Sequence, residues 1–250
     1  MWNRVLNTPR CRVWIAGLAI IFASAGVAGP IPAECQQLLV GKAADWDSSA
    51  GQLQRYVRKG RGPWTSVGSR VRVLFGKSGL AWGIGVAGQE NPGRPKVEGD
   101  HRAPAGIFSL GRAYGDAPTL PSRFSYPYHQ VTPADAWIEN PSLPQYNQHV
   151  RVDPANPPAW FKKEQMRQND PAHRWKLEIR HNAEPPIPGR GSAIFFHVQR
   201  GPNRSSAGCT TMPETNLLEI LAWLDPRDYP HYVLLPESEY SRLSKLWELP

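Results

Sequence analysis

Nine prolines fall between Ala113 and Asp170, at positions 118, 121, 127, 133, 141, 144, 154, 157 and 158. Each removes a backbone N–H and holds φ near about −65°, so neither a long helix nor a central strand fits between most neighbouring pairs. The stretch of about residues 113–171 therefore reads as a long ordered-loop insertion. Loops longer than about 15 residues in compact domains are usually lids or binding surfaces. Gly and Pro together fill 48 of the 250 positions, which excludes a coiled coil but stays below the roughly 25–30% of low-complexity chains. Ten Trp, eight Tyr, seven Phe and 40% hydrophobic residues supply a sizeable core. The expectation is a mainly β (α+β) domain with many turns.

Basic residues outnumber acidic ones by 29 to 21, giving a formal net charge of +8, yet no block of five or more Lys/Arg occurs. Nucleic acid is accordingly not an expected partner. Arg4, Arg10 and Arg12 precede an apolar run from Val13 to Val27 that ends in small residues around Ala28. This is the layout of a secretory signal peptide over residues 1–28, with residues 29–250 as a single domain. The run is shorter than the ~20 residues that span a bilayer. An exported protein of the periplasm or cell envelope is expected, with no integral membrane association once the leader is removed. Cys11 leaves with the leader, and Cys35 and Cys209 are too few for a disulfide-built scaffold, though a bridge between them stays open. Two distant cysteines and scattered histidines show no metal-ligand spacing, so neither metal nor cofactor is expected.

Short apolar or alternating stretches at 36–41, 52–57, 71–75 and around 80–86 read as strands. Trp175, Leu177, Ile179 and His181 alternate with Lys176, Glu178 and Arg180, which predicts a half-buried strand. The run from Ala193 to Val198 predicts a fully buried one. Thr211 and Glu214 form a Thr-x-x-Glu capping box ahead of Leu217, Leu218, Ile220, Leu221 and Leu224, predicting a helix from about Met212 to Leu224. A strand at 232–235 and a short terminal helix within 236–247 complete the pattern. The glycines from Gly76 to Gly88 do not open a helix, so they are not a dinucleotide-binding loop.

His197 ends the buried strand, and twelve residues later Cys209 stands just ahead of the predicted helix. A thiol at a helix N-terminus has its thiolate stabilised, and a neighbouring imidazole lowers its pKa further from about 8.5. Gly208 clears the approach, and backbone N–H groups near Gly208 and Thr210 can receive an oxyanion. Together these are the parts of acyl transfer by a cysteine nucleophile. Alone, either residue is ordinary in a core: a small buried thiol, or a satisfied strand histidine.

His197 with Ser206, Ala207, Gly208 and Cys209 resembles the His…[Ser/Thr]-His-Gly-Cys signature of the L,D-transpeptidase catalytic domain family. Lys96, Val97, Glu98, Gly99 and Asp100, followed by Pro104, Gly106 and Phe108, resemble a second family block. Gly189, Gly191, Ser192 to Phe195 and, more loosely, Tyr146 and Asn147 resemble others. The resemblance implies a β-sandwich-like catalytic domain acting on peptidoglycan. Cys209 would form a thioester with a tetrapeptide stem and release its terminal D-Ala. An amine acceptor would then resolve the thioester into a cross-link, with His197 as base and then acid. Ala207 departs from the family histidine before Gly-Cys, and Thr210 and Thr211 depart from its apolar-then-Arg or Asn pattern, which bears on acceptor choice.

Ser206, Arg200, Arg204, Lys96 and Arg102 are candidate contacts for an acidic stem peptide. Trp82, Trp137 and Trp160 are candidates for lining the cleft, against core packing. The same thioester resolved by water would make a carboxypeptidase or endopeptidase, and a catalytically silent wall-binding protein is the rival from another class.

Overall fold

A computed structural model describes residues 29–86, 93–121, 124–166 and 169–250; the expected leader lies outside them. The strands are β1 (Gln37–Ala43), β2 (Ala50–Val57), β3 (Thr65–Leu74), β4 (Leu80–Trp82), β5 (Ala103–Gly115), β6 (Tyr128–Gln130), β7 (Asp135–Trp137), β8 (His149–Arg151), β9 (Trp175–Ile179), β10 (Phe195–Val198), β11 (Thr210–Met212) and β12 (His231–Pro236). Helices α1 (Phe161–Glu164), α2 (Glu214–Trp223) and α3 (Glu237–Leu243) join them. Neighbouring strands run in the order β12, β1, β2, β3, β11, β10, β9, β5, and β5 then pairs back with β12. A mainly β, barrel-like sheet results, and closure protects its edges from pairing with other chains. β4 and β6 extend it by pairing in parallel with opposite ends of β5.

Leu177, Phe196 and Thr210 share one side of neighbouring strands by register. They point into the barrel, where the Phe196 ring lies 4.6 Å from that of Tyr232 on a strand that is not a neighbour. The Thr210 hydroxyl lies 3.1 Å from the Tyr232 hydroxyl. Leu217, Ile220 and Leu221 of α2 join the same core, whose burial is the main favourable term in folding.

Three expectations change. β5 is the longest strand, yet Pro104, Gly106 and Gly111 hide its periodicity; it absorbs them with a positive φ at Gly106 and a register shift between Leu110 and Ala113. The proline-rich stretch holds structure of its own: the end of β5, β6, the separate two-stranded sheet β7–β8, and α1. Finally, α2 begins at Glu214 with Pro213 as an N-cap that makes no side-chain bond. Thr211 is in β11, and the Glu214 carboxylate accepts instead from the Trp175 indole at 2.9 Å.

Candidate active site

Strand alternation puts Lys176, Phe195, His197 and Thr211 on the outer face of β9–β10–β11, opposite the core residues, and Cys209 precedes β11 on that same face. Register sets Lys176, His197 and Thr211 in one row across the three strands. This outer face is covered by the insertion, so β9 is buried on both sides rather than half-buried as expected. Trp137, Val131 and Met166 of the insertion pack with Tyr114 and Phe195, and Cys209 lies against this cluster. The Trp137 and Phe195 rings meet edge-on at 4.9 Å.

The turn carrying Cys209 is made by its own residues. The Ser206 hydroxyl donates to the Cys209 carbonyl at 2.5 Å and accepts from the Gly208 N–H at 3.0 Å. The Ser206 backbone is tied to Phe75 and Lys77. Gly208 has φ +152, and a Cβ there would stand 3.1 Å from the Arg102 carbonyl, so a side chain is strained twice over. The Cys209 thiol donates to the Ala193 carbonyl at 3.5 Å. Ala193 is itself held by Asn147, whose side-chain oxygen accepts from the Ala193 N–H and the Trp137 indole, each at 3.0 Å.

Cys209 precedes a strand rather than a helix, so no helix dipole acts on it. Burial pushes its thiol up to about 11, while the Phe195 N–H and the positive charges of Lys176 and Lys96 pull it back. The expectation of a lowered thiol pKa is overturned. His197 is pushed down to about 4, chiefly by burial, and Lys176 and Arg200 add to this against the pull of the Val198 and Ala172 carbonyls. Its Nδ1 lies 2.9 Å from the Val198 carbonyl, so Nδ1 carries the proton and Nε2 is left as the basic atom. At neutral pH the pair therefore rests as thiol and neutral imidazole.

Of the predicted contact residues, most are engaged within the protein. Arg200 makes a two-pronged pair with Asp170 at 2.9 and 2.5 Å. Asp170 caps the short 3-10 turn Pro171–His173, and the His173 ring stands edge-on to His197 at 5.2 Å. Lys96 is buried, with its ammonium on Asp100 at 2.5 Å and the Val97 carbonyl at 2.9 Å. Arg102 donates to Asp47 and to the Trp46 and Leu80 carbonyls. These three sets of bonds tie the side chains to the fold itself. Arg204 is exposed at the rim beside exposed Ala207. As for the backbone donors, the Gly208 N–H is held by Ser206. The Met212 carbonyl accepts from Gln199 in β10's extension, so alternation turns the Thr210 N–H the same way, into β10 and away from the thiol. Trp137 lines the site, whereas Trp82 is core, edge-on to Trp46 at 4.9 Å. Trp160 packs on Phe161. Cys35 and Cys209 are both free thiols.

Two site residues escape a chemical reading of the sequence. Lys176 reads as the solvent side of an alternating strand, yet its side chain is 4% exposed. Burial pushes its ammonium down to about 8, and Cys209 is the largest electrostatic influence opposing that shift. Thr211 carries a buried hydroxyl with no hydrogen-bond partner among the described residues. Such orphans are rare in folded proteins and ask for an explanation.

The sequence model of the L,D-transpeptidase catalytic domain (YkuD) matches residues 41–233, most of the chain. The chain belongs to this family. No curated protein matches it. The matched span runs from the end of β1 into β12 and includes both His197 and Cys209.

Proposed function

We propose that the protein is an exported L,D-transpeptidase that acylates Cys209 with a peptidoglycan tetrapeptide stem and passes the acyl group to an amine. The observation that carries this reading is the placement of Cys209 and His197 on one buried strand face, with the imidazole held by the Val198 carbonyl. The thiol turns from the Ala193 carbonyl toward His197, and Nε2 takes its proton. The sulfur bonds to the carbonyl carbon of the third stem residue, the bond from that carbon to the D-Ala nitrogen breaks, and His197 returns the proton to the departing amine. The acceptor amine then repeats the sequence in reverse, expelling the thiolate.

The Lys176 ammonium and the Thr211 hydroxyl are donors on this face for the developing oxyanion or for a stem carboxylate. Lys176 also stabilises the thiolate as it forms. Amine transfer is favoured over hydrolysis by the apolar cover of Trp137, Val131 and Met166, which keeps bulk water from the thioester. Export follows from the leader-like layout of residues 1–28, and the partner is the cell wall. No helix among the described residues is long and apolar enough to cross a membrane.

The test is intact-mass spectrometry after incubation with disaccharide-tetrapeptide, beside Cys209→Ala. An adduct equal to the donor minus D-Ala, absent from the variant, is expected. A folded protein that gains no adduct overturns the reading and leaves a wall-binding role. Addition of a tagged amine then separates transfer, which incorporates the tag, from hydrolysis, which releases only free tripeptide.

A further inference from the structure

We propose that His129, Asp135 and His149 form a binding site for a divalent transition-metal ion, zinc by the chemistry of its donors, which fastens the insertion to the barrel. The three offer two imidazole nitrogens and one carboxylate oxygen, all within 4.8 Å of one another. Both Nε2 atoms lie 2.8 Å from the same oxygen, Asp135 Oδ1. Zinc holds such donors at about 2.0–2.1 Å, and small imidazole rotations bring this set to that distance from a common centre. Two nitrogens and one oxygen suit zinc better than magnesium or calcium, which prefer all-oxygen sets.

The surroundings are those of an oriented ligand set. Asp135 is fully buried, and its other oxygen is fixed by the Thr132 N–H at 2.7 Å and the Thr132 hydroxyl at 2.5 Å. Supporting bonds of this kind aim a carboxylate at a metal. The Tyr114 ring stands edge-on to both imidazoles, at 5.9 and 5.4 Å, and limits how far they can turn. The imidazoles keep 20% and 17% of their side-chain surface exposed, which leaves an entry path. A nearby cation, Arg151, lies 3.7 Å from Oδ1 on a largely exposed side chain that is free to leave.

The placement gives the ion a task. β6 belongs to the barrel sheet through β5, whereas β7 and β8 form the separate two-stranded sheet. A metal on His129, Asp135 and His149 would join the two sheets. His149 stacks on Trp137 at 6.5 Å, and Trp137 covers Phe195 beside Cys209. Occupancy would therefore stiffen the cover of the thiol without touching the reacting atoms, and the site stands whether or not the acyl-transfer reading does.

The experiment uses the full chain with Cys209→Ser, so that the thiol cannot compete, stripped with chelator and titrated with Zn²⁺ and then Co²⁺. One equivalent bound at micromolar affinity or tighter is expected, with a raised Tm and a visible Co²⁺ spectrum free of thiolate charge transfer. His129→Gln and His149→Gln should each weaken binding at least about tenfold. Arg151→Ala should tighten it, because a positive charge beside the carboxylate is removed; it serves if a histidine variant fails to fold. Absence of one-to-one binding, histidine variants that bind as before, or an affinity unmoved by Arg151→Ala would overturn the proposal.

Discussion

On the inner face of β9, β10 and β11, Leu177, Phe196 and Thr210 meet Tyr232 in a core where the Thr210 and Tyr232 hydroxyls pair with each other. On the outer face of the same strands, Lys176 and Thr211 flank His197, and the insertion buries them without pairing the Thr211 hydroxyl. The strands are shared and so is the depth of burial. Only the chemistry differs: the inner face collects the free energy of removing apolar surface from water, while the outer face holds polar groups at a cost in stability. Residues of one type therefore report on folding and residues of the other on reactivity.

The sharpest way to break this contrast is to truncate one residue from each face. Phe196→Ala should lose about 3–5 kcal/mol of stability in denaturant melts, because it opens a cavity among Tyr232 and its neighbours. His197→Gln should leave the melt nearly unchanged and lower the acylation rate by about 10²–10⁴-fold. If the two variants lost stability equally, the faces would not be distinct.

Acid offers the next test. His197 and His173 are held at about 4 and about 3, below their ordinary 6.5, so the unfolded chain takes up protons first. Their contribution to stability is complete above about pH 6.5 and is lost as the pH falls through 4 and towards 3. Urea midpoints at pH 7.5 and 4.5 should therefore differ, and the double variant His173→Gln/His197→Gln should flatten the slope. His181, also held at about 3 within the fold, accounts for part of what remains. A slope that the double variant leaves intact would place the acid sensitivity elsewhere.

A smaller effect is expected from Lys176→Met. Removing a buried ammonium with no ion-pair partner among the described residues should raise stability by up to about 1 kcal/mol. The Cys209 thiol should at the same time titrate at higher pH in iodoacetamide-labelling profiles, since one of the charges that lowers it is gone. A melt that falls while the labelling profile stays put would make Lys176 a structural residue. Least of all, Arg200→Ala should cost no more than about 1 kcal/mol, as expected for a partly exposed ion pair. Arg204→Ala should leave stability unchanged and report only on donor KM.

Much of this contrast is written along the chain. The alternation from Trp175 to Arg180 and the apolar run before His197 place the right residues on opposite faces, because side-chain direction in a strand is a local property. The motif around Cys209 is legible for the same reason: Ser206 and Gly208 shape its turn within a few residues. Local rules fail where two segments compete. Thr211 and Glu214 fit a capping box, yet Thr211 is drawn into pairing with Leu74 of β3 and the Trp175 indole takes Glu214. The helix then starts too late to act on the thiol.

What the sequence determined by itself is the strand periodicity, the family of the domain and the choice of Cys209 and His197 as the proposed reacting pair. Tertiary structure alone decided which polar face would be covered, and so raised the thiol, emptied the imidazole of its charge and turned Lys176 from a surface residue into a buried one. It also drew His129 and His149 onto Asp135, and committed Arg102 and Arg200 to partners distant in the chain. The physical reason is that burial and pairing depend on which remote segment lies above a side chain, whereas direction and turn chemistry depend only on the residues beside it.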